Sequence, residues 1–358
     1  MSVHKTAAGV AMAAALAAAV SGCSKSESGS TAASGTGPAA SAAAVQPGGQ
    51  QTCTIEQTGY PRIDPKTAKI GFSQSEKEAN PFRITETDSI RDQAAKLGIP
   101  AGNLLITNAQ SDLDKQVGDI KSMLDQGVQA LIVAPLNSDG LQPALDAARA
   151  KKVPVITIDR QVTSRPCTDY VTFIGSDFVH QGERAADQMV RVTGGRGKIA
   201  ILLGSSGNNV TTDRTKGFKD KLTATPGLAV VAEQTGDFDR SKGQSVMEQL
   251  LQSHPDITAV YAENDEMGSR GGQCDRGARA SSRDKDIKIV SVDGTRNAVQ
   301  LIVSGDYNAD IESNPRFGPL AFQTLQQFED GRPVPATVII SDNEYDETTA
   351  AAKIGDAY

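Results

Sequence analysis

Residues Val153–Arg160 read Val-Pro-Val-Ile-Thr-Ile-Asp-Arg, and this stretch decides the fold. Val155–Ile158 is a short, β-rich, mostly apolar run of the kind found in strands buried on both faces of a parallel sheet. It ends abruptly in an acid and a base. In open α/β sheets ligands bind outside the carboxyl ends of the strands, so Asp159 and Arg160 stand where a ligand is expected. A carboxylate accepts hydrogen bonds from hydroxyls and a guanidinium donates a rigid fork, a pairing that suits a molecule dense in hydroxyl groups. The same two residues also fit a plain ion pair at a strand end, and the rest of the chain has to separate the two readings.

On both sides of this stretch one unit repeats. Ala68–Ser73 reads as a strand, 83–97 as a helix closed by Gly98, and Leu104–Thr107 as a strand. Residues 112–126 read as a helix with Leu113, Val117, Ile120, Met123 and Leu124 on its apolar face, closed by Gly127. Ala130–Ala134 reads as a strand and Ser138–Ala150 as a helix. Short βα units in series predict a doubly wound parallel sheet. After a link at Tyr170–Ile174 the pattern restarts, with helices over 178–192, 212–223 and 241–253. Its strands fall over Lys198–Leu203, Leu228–Gln234, Ala259–Ala262 and Ile287–Val292. Two such halves, each with polar residues at its strand ends, predict two lobes with a cleft between them, where pockets tend to form.

The totals agree. A chain of 358 residues is long enough for two domains of ordinary size. A net charge of −7 argues against a nucleic-acid partner, and with no Trp and 4% aromatic residues there is little to stack bases on. Three His and four Cys without ligand spacing leave little material for a metal site. No Gly-x-Ser-x-Gly elbow, P-loop or dinucleotide fingerprint is present, so no cofactor is implied. Gly204-Ser205-Ser206-Gly207 is only a weak phosphate-loop lookalike.

The start of the chain is a targeting segment. His4 and Lys5 precede an Ala-rich apolar run from Ala7 to Val20, too short for a membrane span, so residues 1–23 read as a secretory signal. It closes in Val-Ser-Gly-Cys, which resembles a bacterial lipobox with Cys23 as the lipidated residue; an ordinary signal with an incidental Cys is the alternative. The Ser-, Gly-, Ala- and Pro-rich sequel cannot bury enough apolar surface to fold and reads as a tether. Residues 24–65 are assigned to this tether and an N-terminal extension.

Eight stretches in order then point to one family: Ile70–Gln74 (IGFSQ), Asn80–Arg83 (NPFR), Ala134–Pro135, Ile158–Gln161 (IDRQ), Asp213–Phe218 (DRTKGF), Gly236–Gly243 (GDFDRSKG), Ala262–Met267 (AENDEM) and Val290–Gly294 (VSVDG). Over about residues 66–358 the chain resembles periplasmic sugar-binding proteins of the ribose and galactofuranose type, which serve ATP-driven transporters. The resemblance implies the type I periplasmic-binding-protein fold, two doubly wound α/β lobes joined by a three-crossover hinge. The first lobe would take 66–175 plus 314–342 and the second 176–313 plus 343–358. It implies a monosaccharide in the cleft, an ABC permease as partner, an extracytoplasmic and lipid-anchored location, a monomer, and no cofactor.

The site residues it implies are Phe82, in place of a frequent Trp, and Arg83 from the first loop; Asp159 and Arg160; Arg214, Phe238, Asn264 and Asp293 from the second lobe; and Glu312 beside a crossover. Ser73 and Gln74 either line the pocket or merely end a strand. Core packing for the two phenylalanines, a surface role for Arg214, a turn for Asn264 and a helix cap for Asp293 are the plain alternatives.

Residues 268–283 depart from the pattern. GSRGGQCDRGARASSR has almost no apolar residue and no helical period where the family has an Ala- and Leu-rich helix. It reads as a compensated shift of reading frame, restored near Asp284, or else as a genuine exposed insertion. Cys274 inside it is then accidental. With Cys23 reserved for lipid, Cys53 and Cys167 remain in an exported protein, where disulfides persist, and are expected to pair.

Two rival functions use the same residues. Asp159, Glu263, Asp265 and Asp293 could form an acid/base pair for glycoside chemistry, although carboxylates that hold sugar hydroxyls explain them without catalysis. A sugar receptor for a membrane sensor needs the same cleft as a transport receptor.

Overall fold

The computed structural model describes residues 38–39, 51–269 and 287–358. The described chain opens with β1 (Thr52–Cys53) and α1 (Ile55–Thr58). It continues through β2 (Ile70–Gln74), α2 (Pro81–Lys96), β3 (Leu104–Asn108), α3 (Leu113–Asp125), β4 (Ala130–Val133), α4 (Gln142–Ala150), β5 (Val155–Ile158) and β6 (Thr172–Gly175). A second series follows: α5 (Phe178–Thr193), β7 (Gly197–Leu203), α6 (Asn209–Leu222), β8 (Leu228–Thr235), α7 (Arg240–Ser253), β9 (Ala259–Ala262), α8 (Asp265–Gly268), β10 (Lys288–Asp293), α9 (Arg296–Val303) and β11 (Ala309–Glu312). It ends with α10 (Gly318–Glu329), β12 (Val334–Pro335), β13 (Thr337–Ile339), β14 (Glu344–Asp346) and α11 (Ala350–Lys353).

Two six-stranded sheets result. The first has the order β13-β6-β5-β4-β2-β3 and is parallel throughout. The second, β14-β11-β10-β9-β7-β8, is parallel except for its edge strand β14. Strands buried on both faces carry continuous apolar runs. In the first sheet Ile70, Phe72, Ile132, Ile156 and Ile174 face one core with Ile90 of α2 and Phe322 and Leu325 of α10. Leu131, Val133, Val155 and Phe173 face the other with Met123 and Leu145. In the second sheet Ile201, Tyr261, Val290, Val292 and Ile311 pack on Met189 and Phe218.

The chain passes between the sheets three times: between β6 and α5, between β11 and α10, and between β13 and β14. Residue 358 is the exception to a clean partition. The stretch 343–358, read from sequence as second lobe, ends with Tyr358 in the first lobe's core, its ring edge-on to Phe82 at 6.2 Å.

Helix starts follow Asx chemistry. Asn80, Asp112, Asp177, Asn208, Asp239 and Asn264 cap the helices that follow them, each accepting from the backbone N–H three residues on. Asn208 therefore starts α6 at 209 rather than 212. The start expected at Ser138 moves to Gln142, because Ser138 instead donates its backbone N–H to Gly207 O of the second lobe at 2.9 Å.

Cys53 and Cys167 are disulfide-bonded, with Cα atoms 5.2 Å apart. With the β1–β12 pairing, this fastens the N-terminal extension to the first lobe. Residues 1–37 (with the signal segment and Cys23), 40–50, and 270–286 (with Cys274 and nearly all of the aberrant stretch) lie outside the described residues. Among the described residues no helix is long and apolar enough to cross a membrane, and no group of side chains is arranged to hold a metal ion.

Candidate functional site

The strand ends of both sheets and the helix starts that follow them converge on one pocket with an empty volume of about 320 Å³. Its lining comes from both lobes: Glu76, Asn80, Phe82, Arg83, Asp159 and Arg160 from the first, Val210, Arg214, Phe238, Asn264 and Asp293 from the second. Phe82, Arg83, Asp159, Arg160, Arg214, Phe238, Asn264 and Asp293 are thus brought together in one pocket.

Three expected residues are elsewhere. Ser73 is buried behind the pocket and accepts from Gln116. Gln74 turns toward α2, where its amide donates to Glu86 at 2.9 Å and Thr87 at 3.1 Å. Both belong to the strand's support, not to the lining, because the pleat of β2 aims them into the packing against α2 and α3. Glu312 lies at the end of β11 and accepts from Asn343 N at 2.7 Å, on the hinge side of the sheet. Conversely, Glu76 and Val210 line the pocket and no sequence pattern singled them out. Asn80, quoted only as the start of the NPFR stretch, lines the pocket and caps α2.

Charge dominates the first-lobe wall. Arg83 contacts Asp159 at 2.7 Å, Glu86 at 2.9 Å and Glu76 at 3.1 Å. Arg160 holds the other oxygen of Glu76 at 2.8 Å and donates to Leu136 O at 3.0 Å. Burial alone would raise the Glu76 carboxyl, but the Arg160 and Arg83 guanidinium groups outweigh it and hold it at about 2. Glu86, behind Arg83 and deeper in the protein, is pushed by burial up to about 7, with the negative charge of Asp159 opposing Arg83.

On the second-lobe wall Arg214 donates to Glu263 O at 2.6 Å and lies 3.7 Å from Asp293. Burial, reinforced by Asp265 and by Asp159 across the pocket, drives the Asp293 carboxyl well above its usual range against the pull of Arg214. Asn264 caps α8 and also donates to Phe238 O at 3.2 Å, so its turn role and its pocket role coincide. Asp293 caps nothing; Thr295 is the cap of α9.

The two rings supply apolar faces. The Arg83 guanidinium lies 4.9 Å from the Phe82 ring centroid, and that of Arg160 lies 5.8 Å from Phe238. Phe238 rests on Gly204, where a Cβ would overlap its ring. Asp159, Phe238 and Asp293 are all non-glycine residues with positive φ (64°, 58° and 143°). Strained backbone of this kind clusters at ligand sites. Arg214 is placed by helix packing: α5 and α6 touch through Gly182 and Gly217, and a Cβ on either would overlap the opposite backbone, at Arg214 O and Val179 O respectively.

At the mouth the lobes bond directly. Besides Ser138 N to Gly207 O, the Asn209 N–H donates to Ser138 Oγ at 3.0 Å and Gln161 N–H to Asn209 Oδ1 at 2.9 Å. Most lining side chains are accordingly buried; Arg83, Asp159, Arg160, Arg214 and Asn264 are each at most 4% exposed. Such a chamber can envelop a small molecule, stack its apolar faces on Phe82 and Phe238, and hold hydroxyls between carboxylates and guanidinium forks.

Residues 70–333 match the model of the periplasmic binding protein domain. The ribose import binding protein of Bacillus subtilis is 36% identical over 274 residues, covering 76% of this chain and 85% of that protein. The galactofuranose-binding protein of Escherichia coli is 30% identical over 276 residues, with coverages of 76% and 85%. A crystal structure of a Mycobacterium smegmatis protein in complex with β-D-fucofuranose superposes with a TM-score of 0.72 at 34% identity, over 80% of this chain and 93% of that one. With this match over most of its length, and two parallel-sheet lobes closing on a shared pocket, the chain belongs to the periplasmic binding protein family.

Proposed function

We propose that this protein is a non-enzymatic receptor for one neutral monosaccharide, with furanose forms ahead of pyranoses, and that it delivers the sugar to an ABC permease while anchored outside the cytoplasm by lipid on Cys23. The observation that carries the reading is the pocket itself: two phenylalanine rings and three guanidinium groups, drawn from both lobes around one chamber. Each arginine already faces a carboxylate, so an acidic sugar would find no unpaired cation, whereas hydroxyls can bridge the existing pairs. The relatives that bind galactofuranose and fucofuranose support the furanose preference.

The test is a thermal melt of the purified protein against ribose, arabinose, xylose, galactose, glucose, fucose and galactofuranose. A sugar present at about 100 times its Kd adds roughly 2.7 kcal/mol, a rise in Tm of about 4 °C. A cooperative melt that no sugar moves would overturn the reading. For the anchor, Cys23→Ala should move the protein from the membrane fraction to the soluble extracytoplasmic fraction.

A further inference from the structure

Arg214 owes its orientation to a side chain outside the pocket. Its Nε donates to Gln181 Oε1 at 2.9 Å, and both residues are buried. Gln181 sits in the first turn of α5, just after the chain leaves the first sheet. Its amide nitrogen donates in turn to Asp342 Oδ2 at 2.8 Å and to Glu312 O at 3.2 Å. Asp342 lies in the passage between β13 and β14. Its other oxygen accepts from Asn314 N at 3.1 Å, in the passage between β11 and α10. One carboxylate, itself in one connection, thus bonds a second through Asn314, and Gln181, at the start of the helix that follows the third, links it to a pocket arginine. One turn further along α5, Arg184 reinforces the arrangement by donating to Asp342 O at 3.2 Å and Asn343 O at 2.8 Å.

We propose that Gln181 is a positioning residue that couples the hinge to the pocket, fixing the Arg214 guanidinium only when Asp342 holds both the Asn314 crossover and the start of α5. The proposal rests on the sugar-receptor reading for what Arg214 holds, but not for the hinge geometry. A glutamine is suited to the role because its amide accepts from the guanidinium at one atom and donates to the carboxylate at the other. When the lobes rotate apart, the three passages are the segments whose backbone angles change, so the partners of Asp342 change with them. Gln181 then loses its donor contact, and Arg214 its fixed fork.

The test compares Gln181→Met, Gln181→Glu and Asp342→Asn with the parent protein, using calorimetric titration of the sugar found in the melts and small-angle scattering with and without it. Gln181→Glu is the informative variant, because it keeps the acceptor for Arg214 and abolishes the donor to Asp342. The expected result is an affinity loss of at least about tenfold in Gln181→Met and Gln181→Glu alike. It should appear mainly as faster release, with a larger radius of gyration in the ligand-free variants. Asp342→Asn combined with Gln181→Met should bind no worse than the weaker single variant, the mark of one shared pathway. Wild-type affinity in Gln181→Glu would reduce the residue to a local prop for Arg214 and overturn the coupling, as would additive losses in the double variant. If the parent protein binds none of the sugars, the receptor reading falls, and the coupling is judged by scattering alone: an unchanged radius in ligand-free Gln181→Met and Gln181→Glu refutes it.

Discussion

A single methyl group at Gly204 should disable the pocket. Gly204 follows β7 and has ordinary backbone angles, so alanine is not excluded by conformation. The obstacle is Phe238: a Cβ at 204 would stand 2.6 Å from its Cε2, with two more ring carbons closer still. Carbon atoms settle at about 3.5–4.0 Å, so the ring must move by roughly 1 Å or more. The ring lines the pocket and is displaced into it, where the Arg160 guanidinium lies 5.8 Å from its centroid. Overpacking of this kind costs about 1–3 kcal/mol. If that cost falls on the closed, sugar-bound form, affinity drops by about 5- to 150-fold. Gly204→Ala is to be titrated with sugar and melted without it, alone and in a Phe238→Leu background, where the smaller side chain leaves space for the new methyl. The methyl should cost little in that background. Parent-like affinity and Tm in Gly204→Ala would refute the reasoning, and so would a loss equally large in the Phe238→Leu background.

Arg83→Met should lower stability by about 3–5 kcal/mol, because it leaves Asp159, Glu86 and Glu76 facing one another in a buried site; chemical denaturation reads the loss. Replacing Cys53 and Cys167 together by serine should cost about 2–5 kcal/mol, since the bridge closes a sequence separation of 114 residues, and sugar affinity should survive because the bridge lies outside the pocket lining. Stability should peak near pH 4. Glu86, Glu263 and Glu312 at about 7 and Asp265 at about 6 bind protons more tightly folded than unfolded, mainly through burial, so stability falls as pH rises from about 4 through 7. Glu76, held at about 2, works in the opposite sense and loses its stabilisation only as pH falls from about 4.5 toward 2. A Tm that climbs steadily from pH 5 to pH 8 would contradict the raised carboxyls.

Much of the lobe architecture could be read from strand-length apolar runs punctuated by glycine, because strands buried on both faces leave no other reading for Ala130–Val133 or Val155–Ile158. Asp159 and Arg160 were legible for the same reason, as charge at the end of such a run. Phe82, Arg83, Arg214 and Phe238 were not visible in any periodicity. Phe238 sits in a loop, Phe82 and Arg83 in the first turn of α2 and Arg214 in the second turn of α6, and the resemblance to a family, not the local pattern, marks them. Glu76 carried no signal because its neighbours are polar too; it matters only because Arg83 and Arg160, 77 residues apart in the chain, meet on it. Ser73 and Gln74 stayed open because a strand's end aims alternate side chains to opposite sides, and here both sides are packed by α2 and α3. Gln181 looks like an ordinary surface polar residue in the sequence, and Asp342 is marked only as the position of a crossover that the resemblance implies. Their burial follows from three distant chain passages meeting, which no local pattern encodes.

The pocket's electrostatics favour closure on a ligand over closure on nothing. Closing brings Asp159 of the first lobe and Asp293 of the second into one chamber, and their mutual repulsion is part of what drives the Asp293 carboxyl upward. The arginines temper this unevenly: Arg83 lies 2.7 Å from Asp159, whereas Arg214 is 3.7 Å from Asp293. An uncomplexed closed state must therefore either keep a proton on Asp293 or tolerate a buried charge with a distant partner. A molecule that carries hydroxyl donors and no net charge relieves that tension by donating to a carboxylate, while its oxygens accept from the guanidinium forks. An anion would add a third negative charge to the same space, and an apolar molecule would leave the carboxylates without donors. Both carboxylates are also presented from backbone at positive φ, which sets the direction of each Cα–Cβ bond at its strand end.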